Sequence, residues 1–277
     1  MHKISLMQGR LLPPFEDRFQ AYPAEGWQNE FIEGARLGLY SIEWIYEKPH
    51  FEENLLSTDL GISDLQKAIQ DNGVFVKSIC ADYYMTEHLI SNEKPISKNW
   101  EHLEWLCGQA KKLDVEYIVL PFVDISSLKA DVEKQALAVA LKYFLGANRN
   151  HDIEIHLETD LAPKDFLKIF REVNHPLLKL NYDIGNSASL GYDPDEEFEL
   201  LGCYLGSVHI KDRALKGKTV PLGTGNANFQ KCFYWFKKLN FNRWYVLQAA
   251  RGEIGQEFQN ILSQINFTLN CIEKYGS

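Results

Sequence analysis

Four short segments in the second half of the chain each bring a donor side chain to the end of an apolar run. "IEIHLETD" reaches Glu158, "LLKLNYDIGN" reaches Asp183, "SVHIKD" carries His209, and "WYVLQA" presents Gln248. Two carboxylates, an imidazole and an amide form the mixed oxygen and nitrogen set that a divalent cation accepts. A single carboxylate at such a place is usually a hydrogen-bond acceptor for its own loop. Donors on four successive segments at one level instead point to a shared ion. Period-two alternation puts His156 on the face of Glu158, Asn181 on that of Asp183, and Ser207, His209 and Lys211 on one face. His156 lies one layer deeper, where it can be a satisfied core histidine or a support for the ligand above it.

The elements that must position these residues repeat along the whole chain. Strand candidates are "KISLM" from Lys3, "YSIEWI" from Tyr40, "VFVKSIC" from Val74, "VEYIVLPF" from Val115, "IEIHLE" from Ile153, "LLKLNYD" from Leu177, "LGSVHI" from Leu205 and "WYVLQA" from Trp244. Between them run amphipathic stretches such as "WQNEFIEGARLGL", "SDLQKAIQDNGV", "WEHLEWLCGQAKKLD", "PKDFLKIFREV" and "DEEFELLGCYL", with apolar residues at three- and four-residue steps. Strand and helix alternating eight times predicts a single-domain α/β (β/α)8 TIM barrel over residues 1–277. A doubly wound open sheet is the rival, but neither GxGxxG nor a P-loop follows the first strand. In a barrel, function gathers at the C-terminal strand ends, where the four donors fall. The long first connection, "LMQGRLLPPFEDRFQAYPAEGW", belongs to that same face.

Composition narrows the partners. A net charge of −9 argues against a nucleic-acid or anionic-membrane surface, since phosphate binding relies on Lys and Arg. Five cysteines without a CxxC pair read as reduced thiols. No apolar leader opens "MHKISLMQGR", and no long apolar run follows, so a soluble cytoplasmic protein with a small-molecule ligand is expected. The last helix, "GQEFQNILSQINFTLNCIEKY", can cap the barrel or meet a second subunit, which leaves a homodimer open.

"HLETD", "NYDIGN", "SVHIKDR" and "VPLGTGNANF", with the opening "MQGRLLPP" and "LGLYSIEWIYE", resemble segments of the xylose-isomerase-like TIM barrels, the sugar phosphate isomerase/epimerase superfamily. The resemblance spans nearly the whole chain. It implies that Glu, Asp, His and a second Glu hold one divalent metal, and that the two Glu residues are acid and base on either side of a substrate carbon. Glu158, Asp183 and His209 match position by position. Gln248 stands where the second Glu would be; its amide can ligate a metal but takes no proton at neutral pH.

The resemblance therefore implies a metal-dependent isomerase or epimerase of a sugar or sugar phosphate, with Mn²⁺, Mg²⁺, Co²⁺ or Zn²⁺ held by Glu158, Asp183, His209 and Gln248. Glu158 is expected to remove a proton alpha to a polarised carbonyl, and Lys211 to be the spare proton-transfer group, ahead of Asp212 and Glu43. Gln8, Arg10, Glu43, His156, Lys211 and Arg251 are expected substrate contacts, and Arg10, Arg213 and Arg251 are candidate partners for a phosphate or carboxylate. The two glycines of "PLGTGN" would let backbone N–H groups approach an anion, or form an ordinary turn. Two other functions stay open: a dehydratase on the same site, and a carbohydrate-binding barrel without chemistry because of Gln248. The superfamily's DNA-repair endonucleases need several more His ligands than these strand ends supply.

Overall fold

The computed structural model describes residues 3–91, 93–146 and 152–275. Its parallel strands are β1 (Lys3–Met7), β2 (Ser41–Ile45), β3 (Phe75–Cys80), β4 (Tyr117–Phe122), β5 (Glu154–Thr159), β6 (Leu178–Asp183), β7 (Leu205–Ile210) and β8 (Trp244–Leu247). Each pairs with the next, and β8 returns to β1 with Leu247 opposite Leu6, so the sheet closes into a barrel. Every limit falls within two residues of the segments named from the sequence.

The outer layer is built from α1 (Trp27–Arg36), α2 (Asp59–Asn72), α3 (Ser97–Lys111), α4 (Asp131–Gly146), α5 (Pro163–Val173), α6 (Pro194–Leu201), α7 (Phe229–Lys238) and α8 (Glu257–Tyr275). Local signals set their ends. Thr58 caps α2 by accepting the Gly61 N–H at 3.0 Å, and Gly73 stops it in the left-handed region at φ +68°. Pro163 opens α5, whose Phe166, Leu167, Ile169, Phe170 and Val173 are buried against the sheet. Each such side chain contributes about 1.5–3 kcal/mol relative to exposure.

The lower barrel interior is polar and is organised around one histidine. His156 stacks on Tyr117 with ring centroids 4.0 Å apart and planes 7° apart. Its Nδ1 meets Ser207 Oγ at 2.7 Å and its Nε2 meets Glu154 Oε2 at 2.9 Å, while Glu154 also pairs with Arg243. Burial, opposed by Glu154, pulls the His156 pKa down to about 4, so the ring is neutral at physiological pH. Above this layer the strand register shifts between Ile42 and Glu43 and between Leu180 and Asn181. Both shifts fall on residues that point into the site, where irregular pairing re-aims a side chain.

Candidate functional site

β5, β6 and β7 lift Glu158, Asp183 and His209 to the C-terminal end of the barrel. Each offers a ligand atom within 4.8 Å of the other two, and all three residues are buried. Asp183 and His209 are directly paired across β6 and β7. One ion at about 2.0–2.5 Å from each donor fits such a spacing, and two carboxylates with an imidazole suit a divalent first-row metal or Mg²⁺.

The surroundings aim the donors. Asp183 Oδ1 accepts the Asn186 N–H at 2.8 Å, capping the short helix Ile184–Leu190, so Oδ2 is left facing His209 Nδ1 at 3.9 Å. Glu158 is held at both oxygens, Oε1 by Asn186 Nδ2 at 2.7 Å and Oε2 by Asn181 Nδ2 at 2.9 Å. Glu158 Oε2 also lies 3.3 Å from His209 Nδ1. Asn181 in turn takes a hydrogen bond from Ser207 at 2.6 Å, which ties the site to the His156 layer below. His209 Nε2 lies 2.7 Å from Glu43 Oε1 across the barrel, which orients the ring and leaves Nδ1 for a ligand. Burial would lower the His209 pKa, but Glu43 and Glu158 outweigh it and raise it to about 10.

A cavity of about 640 Å³ opens above these residues, lined by Glu158, Asn186, Lys211 and Gln248 from the late strands and by Gln20, Cys80 and Asp82 from the opposite wall. Lys211 Nζ donates to Asp183 Oδ2 at 3.2 Å and to Gln248 Oε1 at 3.1 Å. Gln248 thus reaches the ligand set through the ammonium. Its own Nε2 donates to Gln20 Oε1 at 3.0 Å, and Gln20 Nε2 donates to Asp82 Oδ2 at 2.7 Å. Gly185 makes room for Lys211, since a Cβ there would lie 2.7 Å from Lys211 Cγ and 3.1 Å from its carbonyl carbon.

Of the contacts expected from sequence, Lys211 lines the cavity, while Gln8, Arg10, Glu43, His156 and Arg251 are not among its lining residues. His156 sits one layer below, and Glu43 is spent on His209. Gln8 Oε1 accepts the Ile45 N–H at 2.9 Å, joining β1 to β2. Arg10 is buried over the Phe19 ring, 4.2 Å from its centroid, and donates to the Phe19 carbonyl. Arg251 donates to Phe19 O at 2.9 Å and Leu12 O at 3.0 Å, so both guanidiniums fasten the first loop. Among the expected anion partners, Arg213 does line the cavity and donates to Asn186 Oδ1 at 2.9 Å.

Asp212, a candidate spare acid, is not among the residues that line the cavity. Its carboxylate accepts the N–H groups of Gly223 and Gly225 at 2.9 Å and of Ala227 at 3.1 Å. The anion that the "PLGTGN" backbone approaches is therefore the chain's own. Asn181 was placed on the face of Asp183 from sequence, but Asn186 and Gln20 were not singled out. An Asp-x-x-Asn spacing after a strand, which places an Asn in the first turn of a capped helix, is the signal that marks Asn186.

Fold and site together define a TIM barrel with a carboxylate, carboxylate and imidazole set at the mouth of its late strands. The chain belongs to the xylose isomerase-like TIM barrel family, whose model matches residues 31–270. It is 23% identical over 192 residues to L-ribulose-5-phosphate 3-epimerase UlaE of Shigella flexneri, covering 66% of this chain and 68% of that protein. A D-allulose 3-epimerase from Methylomonas sp. superposes with a TM-score of 0.74 at 15% identity, over 98% of each chain. The IOLI protein, in a crystal structure with a zinc atom, has the same TM-score and identity over 99% of each chain. Among the described residues no helix is long and apolar enough to cross a membrane.

Proposed function

We propose that this chain is a divalent-metal-dependent epimerase or isomerase of a sugar or sugar phosphate, with 3-epimerisation of a ketose as the leading reaction. The convergence of Glu158, Asp183 and His209 within 4.8 Å, beside a cavity of about 640 Å³, carries the proposal. That volume suits a pentose or hexose phosphate. The 3-epimerase names of two relatives support the ketose class.

A bound cation supplies Lewis acidity, polarising a carbonyl so that the neighbouring C–H becomes acidic. Glu158 accepts that proton. Both its oxygens are held by asparagine amides, which fixes the direction of the lone pair toward the cavity. Glu43 keeps His209 turned so that Nδ1 faces the carboxylates. Lys211, between Asp183 and Gln248, offers an N–H to a substrate oxygen on which charge develops. Lys48, Arg213 and Lys218 line the rim and are suited to a terminal phosphate.

The test is exchange of a substrate C–H with deuterium from solvent. Protein supplied with Mn²⁺, Co²⁺, Mg²⁺ or Zn²⁺ is given L-ribulose 5-phosphate, D-allulose and a wider sugar panel. Exchange accompanied by a new epimer is expected, and Glu158→Gln is expected to lose about 10²–10⁴-fold. Loss of water in place of epimer formation would instead assign the dehydratase reaction. Binding of a sugar with no exchange, unaltered by Glu158→Gln, would assign a binding protein.

A further inference from the structure

Epimerisation needs proton transfer on both faces of one carbon, and Gln248 cannot provide the second. Four carboxyl groups line the cavity: Glu47, Asp82, Asp124 and Glu158. Glu47 is committed to Arg18, which donates to its two oxygens at 2.7 and 2.9 Å, and to the Tyr22 N–H. Asp124 stands exposed on the loop after β4. Asp82, directly beyond β3, is only partly exposed and is held by neutral donors, Gln20 Nε2 at 2.7 Å and Cys80 Sγ at 3.2 Å. Gln20 bridges it to Gln248, so the side chain at the vacated acid–base position leads by two amide contacts to a carboxyl group.

We propose that Asp82 is the second proton-transfer group of this site, replacing the acid–base carboxylate that Gln248 cannot supply. The proposal rests on the epimerase reading above. In one direction Glu158 takes the proton from the carbon beside the carbonyl, and the C–H electron pair becomes the C=C bond of an enediolate. Asp82, as the acid, then gives its proton to the other face of that carbon while the carbonyl re-forms. Glu158 ends protonated and Asp82 ionised, and exchange with water in the cavity resets both. From the epimer the same steps run in reverse, with Asp82 as the base. Desolvation, only partly offset by the Gln20 and Cys80 hydrogen bonds, raises the Asp82 pKa to about 6, which keeps both of its forms accessible near neutral pH.

The experiment follows deuterium uptake separately from L-ribulose 5-phosphate and from its 3-epimer, and likewise from D-allulose and its 3-epimer, in Mn²⁺-loaded protein. Asp82→Asn is expected to lose epimerisation about 100-fold or more while still exchanging one member of the pair near the wild-type rate. Glu158→Gln is expected to exchange only the other member. The ratio between the two directions is read within each variant, so a partly unfolded sample does not disturb it. Equal loss from both members in Asp82→Asn, or epimerisation within about threefold of wild type, overturns the assignment of Asp82. Wild-type protein that exchanges neither pair removes the epimerase reading itself, a different result. Independently of turnover, carbon-13 NMR of the metal-free protein follows the Asp82 carboxyl, expected to titrate near 6; an ordinary value near 4 overturns its role as an acid.

Discussion

Glu43 on β2 and His209 on β7 meet across the barrel with Oε1 and Nε2 2.7 Å apart, and neither side chain has measurable exposure. Among the described residues Glu43 Oε2 has no hydrogen-bond partner, so there the carboxylate serves the imidazole alone. Glu43→Leu is expected to weaken divalent-cation binding by about 10- to 100-fold, because the ring loses the acceptor that fixes its tautomer. Calorimetric titration with Mn²⁺ at pH 8.5, where competition from the His209 proton is reduced, measures this. Unchanged affinity would mean that packing alone orients His209.

Cation binding should also be a proton-release reaction. Glu43 and Glu158 overcome burial and hold His209 protonated up to about pH 10, and Nδ1 must lose its proton before it can ligate. The apparent affinity is therefore expected to climb by up to about tenfold per pH unit between pH 6 and 8, with close to one proton released per ion at pH 7. Titrations in buffers of differing ionisation enthalpy count that proton. Affinity flat across this range would show that Nδ1 is already free.

Gln248 sets the charge of the site. Gln248→Glu places a third carboxylate beside Lys211 and Asp183, and at an effective dielectric near 20 a charge at this range is worth at least about 1 kcal/mol. Divalent affinity is expected to rise about tenfold, read by the same titration and by the metal-dependent gain in melting temperature. Unchanged affinity would mean that Lys211 takes up the introduced charge entirely.

Glu30 couples the first loop to pH. Buried, with the Gly9 and Leu11 N–H groups on Oε1 at 2.7 and 3.3 Å, it has its pKa pushed up by desolvation to about 7. A carboxyl raised in the fold stabilises fully below its unfolded value near 4.5, and that contribution is lost as pH rises through 7. Glu30→Gln keeps a neutral acceptor, so the variant is expected to gain on wild type by about 2–3 kcal/mol between pH 4.5 and 8. Urea unfolding across that range checks it; parallel curves would contradict it.

Strands and the carboxylate, carboxylate and imidazole cluster were legible in the sequence for the same reason: apolar runs end where a parallel barrel opens, and the donors sit on those ends. Glu158, Asp183 and His209 needed only alternation and strand order. α4 was harder to see because "ALAVAL" blurs its three- and four-residue steps, and α7 because "CFYWF" has the residues of a strand. The short helix after β6 reads as a Ser-, Gly- and Asn-rich loop until Asp183 caps it. What periodicity cannot show is how a long side chain turns. Arg10 and Arg251 fold under the first loop, and Lys211 lies between Asp183 and Gln248. Gln20 lies 228 residues from its partner Gln248, a distance no local pattern spans.

The grip of Asp212 on the loop after β7 has its own consequence. A Cβ at Gly225 would stand 2.3 Å from Asp212 Oδ1, so the loop closes only around a bare backbone, and Lys218 and Thr219 just before it border the mouth. The entropy of ordering this rim is spent during folding, before any guest arrives. That side of the entrance is a fixed contour, so selectivity there is a matter of shape settled in advance, and admitting a larger sugar would begin with releasing an aspartate that never touches it.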